Sequence, residues 1–380
     1  MPSVYIHIPF CLKKCLYCDF YSVTETEQVE AFLDALTHEI TLSADRYKDT
    51  ETSTIFFGGG TPSLLEPSQL ERILIALGTV FRIVPDAEVT LEANPGTVTR
   101  EKLRVFRALG INRLSLGIQS FLDAELHTLG RVHDRAEALR SVGFARDAAF
   151  DDISLDLIYA IPGQTVASWE ETLRAAVELT PQHISAYSLT VEDGTPLSRL
   201  VQAGEVRMTP SSLQAEMFEQ AHAFLNAHGY EHYEVSNYAL PGLRCRHNCN
   251  YWSHENYLGF GPSAHSFWRE PDRTRGRRVW NVADLTTYLA CLEDGQMPVG
   301  SEEHVGPDEL IHERIFLGLR SSGLNLARLR QDLGYDIVAH RGDVIRNLLD
   351  ERLALLEGDV LLLTLRGFLL CDEICERLFP

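Results

Sequence analysis

The sequence predicts an α/β fold: repeated βαβ units forming a mainly parallel sheet, followed by a small winged-helix-like α+β module at the C-terminal end. Three observations carry this. Short β-branched or aromatic runs alternate with amphipathic helical stretches over residues 1–237. Residues with chemical character fall at the C-terminal ends of those runs, where barrels and open α/β sheets build their sites. From residue 300 the pattern becomes helical and ends in a strand–turn–strand. Right-handed crossovers suit the first part. Six or so repeats over about 235 residues fit a curved or incomplete (β/α) barrel as well as a doubly wound sheet.

The first strand is Ser3-Val-Tyr-Ile-His-Ile-Pro9, ended by its proline. Directly after it comes Cys11-Leu-Lys-Lys-Cys15-Leu-Tyr-Cys18, a C-x₃-C-x₂-C loop. Three convergent thiolates can bind three irons of a [4Fe–4S] cluster and leave the fourth open to a small molecule. Zinc normally wants four ligands, and the nearest candidate, His7, precedes the loop on the strand. Eight cysteines in 380 residues are ordinary for a cytosolic enzyme and fit a disulfide framework poorly.

Residues 25–42 predict a helix, with Val29, Phe32, Leu33, Leu36 and Ile40 at helical spacing. Ser53-Thr-Ile-Phe-Phe57 reads as a buried strand running into Gly58-Gly59-Gly60-Thr61-Pro62-Ser63, and a helix follows over 66–80. Glycines there let a backbone approach a ligand closely. The run lacks the spacing and lysine of a nucleotide-phosphate loop, and taken alone it is a packing turn. The unit then repeats: strand 88–92, turn Asn94-Pro95-Gly96, helix 100–109, strand 113–117 leading to Ile118-Gln119-Ser120-Phe121, and helices 124–129 and 135–147. Strand 152–158, helix 166–179, strand 183–189, helix 211–228 and an extended stretch over 230–236 complete the series.

Residues 238–299 read as a connecting segment and a functional excursion rather than a core element: polar, aromatic and with little periodicity. It contains Cys245-Arg-His-Asn-Cys-Asn-Tyr-Trp252 and Tyr257-Leu-Gly-Phe-Gly-Pro-Ser-Ala-His-Ser-Phe267. Residues 300–380 give helices over 308–319, 326–333 and 344–351, a hairpin around Glu357-Gly-Asp, and a closing helix over 367–378. Cys291, Cys371 and Cys375 lie in helical patterns as small hydrophobes, and His265 reads as structural.

A formal net charge of -20 repels a phosphate backbone, so nucleic acid is not an expected partner despite the winged-helix pattern. The one basic cluster, residues 269–278, is broken by Pro, Asp and Gly and reads as a solvated loop, open to an acidic partner or anionic propionates. No run approaches the roughly 20 apolar residues of a membrane span, and no signal-peptide pattern opens the chain. The expected location is the cytoplasm.

Taken together, these motifs resemble the radical S-adenosylmethionine (SAM) superfamily, in its HemN/HemW branch. The resemblance rests on Tyr5 through Phe20, Gly58–Ser63, Glu92-Ala-Asn-Pro95, Gly117-Ile-Gln-Ser-Phe121 and Asp156-Leu-Ile-Tyr-Ala-Ile-Pro-Gly163. It implies an incomplete (β/α) barrel of the radical SAM type. It further implies a [4Fe–4S] cluster on Cys11, Cys15 and Cys18, whose open iron chelates SAM, and reductive cleavage of SAM to methionine and a 5′-deoxyadenosyl radical. By motif position, Tyr5, Gly59, Gly60, Thr61 and Glu92 resemble contacts to that SAM. Tyr17, Gln119, Arg131 and Asp156 match positions that contact a second SAM in decarboxylase relatives.

His247-Asn-Cys-Asn-Tyr251-Trp252 is similar to the H-N-x-x-Y-W motif of the heme chaperones in this branch. The resemblance implies heme as cargo, His247 as leading axial ligand with Cys245 and Cys249 as thiolate alternatives, and recipient hemoproteins and an electron donor as partners. Membrane-bound respiratory enzymes as recipients would leave peripheral membrane contact open. The competing expectation is an oxygen-independent coproporphyrinogen III dehydrogenase. That relative has a cysteine where this chain has Phe20, and a longer extension before Tyr5.

Overall fold

A computed structural model describes residues 1–271 and 273–380. Its centre is one sheet of strands β1 (Ser3–Ile8), β2 (Thr50–Gly59), β3 (Phe81–Ala93), β4 (Arg113–Gln119), β5 (Asp152–Tyr159) and β6 (His183–Ser188), each parallel to the next. Beyond β6 lie β7 (Glu231–His232) and β8 (Asn237–Ala239). On the far side of β1 come β9 (Tyr257–Phe260), β10 (His265–Arg269), β11 (Gly276–Asn281) and β12 (Val299–Val305). The order β12-β11-β10-β9-β1-β2-β3-β4-β5-β6-β8-β7 has two free edges, so the barrel is incomplete. Tyr5, Phe56, Glu92, Arg113, Asp156 and His183, one from each of β1 to β6, line a common cavity, which shows how far the sheet curls.

Alternation along these strands explains the two layers. Val4, Ile6 and Ile8 on β1, Leu114, Leu116 and Ile118 on β4, and Ile153, Leu155 and Leu157 on β5 are all buried in one apolar core. Helices Val29–Leu42, Pro67–Val80, Arg100–Ala108, Arg135–Asp147 and Val166–Glu178 cover that face with Leu36, Ile73, Leu103, Val142 and Leu173. The opposite face is polar: Glu88, Thr90 and Glu92 on β3; Arg113 and Ser115 on β4; Ser154 and Asp156 on β5; His183 and Ser185 on β6. A barrel filled with polar side chains is a site rather than a packed core.

Local chemistry fixes the helix starts. Glu66 and Gln69 form a capping box before Pro67, and Thr165 and Ser168 another before Val166. Trp169 is fully buried and its Nε1–H donates to Met217 O at 3.0 Å, joining helix Val166–Glu178 to helix Ser211–Ala227. Truncating such a buried Trp costs about 3–5 kcal/mol.

Two expectations are corrected. The extended stretch over 230–236 narrows to the two residues of β7, which pair antiparallel with β8, itself antiparallel to β6. The buried Glu234 carboxylate accepts backbone N–H bonds from Ser236 and Asn237, which bends the chain there. Residues 238–299 are no excursion: helix Arg246–Trp252 packs inside the barrel, and β9 extends the sheet parallel to β1. The mixed polar and aromatic pattern reflects strands with one face toward the cavity.

After Val305, helices Pro307–Leu319, Leu326–Leu333 and Ile337–Asp350 precede the hairpin β14 (Ala354–Glu357) and β15 (Val360–Leu363). The hairpin pairs with β13 (Leu324–Asn325), and Ile315, Leu329, Leu348 and Leu361 form a second core. This is the winged-helix order. In the basic cluster, Arg277 pairs with Glu302 and Arg278 with Glu303 and Glu313, so its own chain neutralises those two residues. Asp272 of that cluster lies outside the described residues. Among the described residues no helix is long and apolar enough to cross a membrane.

Candidate functional site

The cysteine loop leaves β1 at Pro9 and is pinned at its base and its tip. Cys11 N–H donates to Val23 O at 2.9 Å and Val23 N–H to Pro9 O at 2.7 Å. At the tip, Leu16 N–H meets Leu129 O, and Leu197 N–H donates to Leu16 O at 2.8 Å. Cys11, Cys15 and Cys18 are free, half-buried thiols. Burial raises the Cys11 thiol, partly offset by its hydrogen bond with Thr61, and pushes Cys18 up to about 11. Metal binding requires the thiolates, so a cation at the loop must displace these protons.

The glycine run explains how β2 meets that loop. A Cβ on Gly59, whose φ is +105°, would lie 2.6 Å from the His7 ring, and one on Gly60 would lie 2.7 Å from Phe10 O. Only glycine lets the end of β2 lie this close to the exit of β1. The contact places Thr61 Oγ1 3.5 Å from Cys11 Sγ. Asn94, from the end of β3, donates its Nδ2–H to Thr61 Oγ1 at 2.9 Å and accepts from Arg131. Arg131 also donates to Gly117 O at 2.8 Å and reaches Cys15 Sγ at 3.5 Å. The guanidinium therefore braces the cysteine loop against the ends of β3 and β4. Burial works against its charge, and neighbouring Tyr17 and Cys15 restore it.

Beneath the loop is a cavity of about 410 Å³. Tyr17, Cys18, Gly59, Gly60, Thr61, Glu92, Gln119, Arg131 and Asp156 all line it. Gln119 reaches it through a register shift in β4 and a left-handed backbone of φ +67°, a conformation that costs a non-glycine residue about 1 kcal/mol or more. Tyr5 stands on the other side of Glu92, in an adjoining cavity of about 280 Å³, with its hydroxyl 3.2 Å from His7 Nδ1. His7 Nε2 donates to Tyr21 O at 2.8 Å and burial lowers the ring to about 4, so His7 is a neutral bracket and not a metal ligand.

Glu92 and Asp156 give the cavity its electrostatic character. Neither has an ion pair among the described residues. Burial, then the charge of Asp156, lifts Glu92 to about 8 against the backbone N–H of Gly59. Burial also raises Asp156, although Ser185, Ser115 and Ser154 hydrogen-bond it. Two carboxyl groups held this way favour a guest that brings positive charge or hydroxyl donors. SAM carries an ammonium, a sulfonium and ribose hydroxyls, so the donor set fits it. The three thiols fit a cluster as well, since each iron takes its own thiolate. Among the described residues no three metal-binding side chains crowd one point, as a single ion would need.

His247, expected as the leading heme ligand, is enclosed by its own chain. Helix Arg246–Trp252 inserts into the barrel floor, where His247 is 1% exposed. Its Nδ1 lies 2.9 Å from Thr54 Oγ1 and its Nε2 3.0 Å from Tyr251 OH, so neither nitrogen is free for iron. Burial, then the charge of Arg113, lowers the ring to about 3. Of the thiolate alternatives, Cys245 is fully buried against Glu88, whereas Cys249 is half-buried. His265, read as structural, is exposed at the start of β10.

Several site residues escaped the sequence reading: Asn94, Ser115, Ser185, Tyr187 and the floor residues Glu88 and Arg113. Their signal was the period-two recurrence of polar residues along β3, β4 and β6.

Comparison with known proteins supports the same assignment. The Radical SAM superfamily model matches residues 5–176 and the HemN C-terminal domain model residues 305–370. Heme chaperone HemW of Bacillus subtilis is 36% identical over 377 residues, 98% of each chain. Heme chaperone HemW of Mycobacterium tuberculosis is 38% identical over 381 residues, covering 99% of this chain and 94% of that one. The HemW of Escherichia coli is 39% identical over 276 residues, 71% of each. The solved structure of coproporphyrinogen III oxidase (HemN) from Escherichia coli superposes with a TM-score of 0.85 at 24% identity, covering 100% of this chain and 90% of that one, and establishes the shared fold. The chain belongs to the radical SAM superfamily, in its HemN/HemW branch.

Proposed function

We propose that this protein is a radical-SAM-type heme chaperone: it binds a [4Fe–4S] cluster, SAM and heme, and passes the heme to recipient hemoproteins. One observation carries the cofactor part. Eight residues singled out for SAM gather on a single cavity under the cysteine loop, and Glu92 and Asp156 among them form no ion pair among the described residues. The cargo follows the relatives, which are named heme chaperones and match nearly the whole chain.

In this reading Cys11, Cys15 and Cys18 hold the cluster. When bound, cluster and SAM together supply one-electron chemistry. The protein's own part is positioning. Thr61 and Arg131 hold the loop through hydrogen bonds to Cys11 and Cys15, Glu92 and Asp156 accept from the guest, and Tyr17 packs over apolar Ile158 and Leu189 to exclude water. The second reading is the coproporphyrinogen III dehydrogenase, which shares the fold. Against it, Phe20 places an exposed aromatic ring where that relative has a thiol.

The test is a paired assay on anaerobically reconstituted protein with reductant and SAM. We expect heme loaded onto the chain to appear in a heme-free acceptor hemoprotein, with no protoporphyrinogen formed from coproporphyrinogen III. Robust protoporphyrinogen formation without heme transfer would overturn the proposal.

A further inference from the structure

Beside the barrel mouth, between the cysteine loop and the β9–β10 turn, lies a second cleft of about 370 Å³. Its walls are strongly aromatic. Tyr5, Phe20, Tyr21, Tyr251 and Tyr257 all line it. Phe20 leaves 62% of its surface in contact with water, two residues after Cys18. An exposed aromatic ring on the rim of an aromatic-walled cleft favours a flat apolar guest.

His265 also lines this cleft. It pairs across the β10–β11 ladder with Trp280, whose ring centre is 5.6 Å away. His7, in the same cleft, and His183 and His247, in the adjoining cavity, have both ring nitrogens occupied, whereas the His265 ring makes no hydrogen bond among the described residues. It offers an open imidazole nitrogen, the donor that a heme iron takes from a protein. The other exposed imidazole on a cavity wall, His340, stands among Arg341, Asp343, Arg346, Glu376 and Arg377, a charged lining unsuited to a macrocycle.

We infer that heme is held in this cleft, with His265 as its axial ligand and Phe20 and Tyr257 against the macrocycle. The inference rests on the heme-chaperone reading above and deepens it by placing the cargo. The cleft shares Tyr5, Phe20 and Tyr251 with the cavity that contains Glu92, so cargo and SAM sit side by side rather than in one pocket. One heme edge stays in water, as handover to another protein requires.

The experiment is a heme titration of the full, anaerobically reconstituted chain, read by absorption and electron paramagnetic resonance. Wild type is compared with His265→Ala, Phe20→Ala and His247→Ala. His265→Ala is expected to lose the histidine-ligated spectrum and at least tenfold in affinity, and added imidazole is expected to restore the spectrum. Phe20→Ala is expected to weaken binding severalfold with an unchanged spectrum, and His247→Ala to keep the wild-type spectrum. Saturable wild-type binding with His265→Ala indistinguishable from it would overturn the placement alone. Absence of saturable binding by the wild type would overturn the chaperone reading and the placement together.

Discussion

The mouth and the floor of the same barrel use similar residues to opposite ends. On the floor opposite charges and helix-end donors face one another. Arg113, 2% exposed, sits 3.6 Å from Asp152, and Glu88 accepts the backbone N–H groups of Arg246 and His247 at 2.8 and 2.9 Å. There a carboxylate caps a helix N-terminus and a histidine bridges Thr54 to Tyr251. At the mouth Glu92 has no ion pair and is lifted to about 8, and His265 has no hydrogen-bond partner among the described residues. Saturated polar groups hold a structure together; unsaturated ones at a cavity wait for a ligand. The two histidines differ accordingly: His247 is engaged at both ring nitrogens, and His265 faces the cleft.

The largest effect should come from Cys15→Ala. Loss of one thiolate is expected to remove the cluster entirely, taking iron from about four per chain towards none. Thermal unfolding of the metal-free protein should hardly change, since Cys15 is half-buried on a loop. Iron analysis and a thermal scan check both halves; a substituted chain that retains a full cluster would contradict the ligand set.

His247→Ala comes next. It removes two hydrogen bonds and leaves Thr54 and Tyr251 unpaired in a buried site, at a cost of about 2–4 kcal/mol. Denaturant unfolding should show this loss while the heme spectrum stays put. Equal stability with an altered heme spectrum would erase the distinction between floor and mouth.

Glu92→Gln sharpens the contrast through pH. The folded carboxyl holds its proton to about 8, whereas an unfolded one releases it near its ordinary value of 4.5. Between those pH values the folded chain binds more protons, so stability falls as pH rises through the window. Removing the charge should therefore raise the melting temperature of the metal-free protein by ~5 °C at pH 8.5 and leave it unchanged at pH 4.5. A difference that does not depend on pH would show that the strain at Glu92 is not electrostatic.

The smallest effect is expected at Glu88→Gln, which keeps an acceptor for the helix N-terminus but loses its charge. About 1 kcal/mol of stability should go, with SAM binding untouched. A large loss of SAM binding would mean that the floor takes part in the site.

The fold was legible in sequence because its signals are local. The run into Gly58-Gly-Gly-Thr, the cysteine spacing and the helical periodicities each lie within a dozen residues. What escaped is non-local. Glu88 meets His247 across 159 positions, and Thr54 meets it across 193. Nothing near His247 in the sequence announces that both its nitrogens are taken. The segment from Tyr238 looked irregular because β9 is only four residues long and helix Arg246–Trp252 only seven, too short for a period to emerge. The polar face of the barrel was visible as alternation along β3 to β6, but only a curled sheet turns that face into the wall of one cavity.

The most direct test is a calorimetric titration of SAM into the reconstituted protein, with Glu92→Gln, Glu88→Gln and His247→Ala alongside. One SAM per chain is predicted for wild type. Glu92→Gln should bind at least tenfold more weakly, and the two floor variants as wild type does. Wild-type affinity in Glu92→Gln, or loss of binding in the floor variants alone, would contradict the division between a ligand-taking mouth and a structural floor.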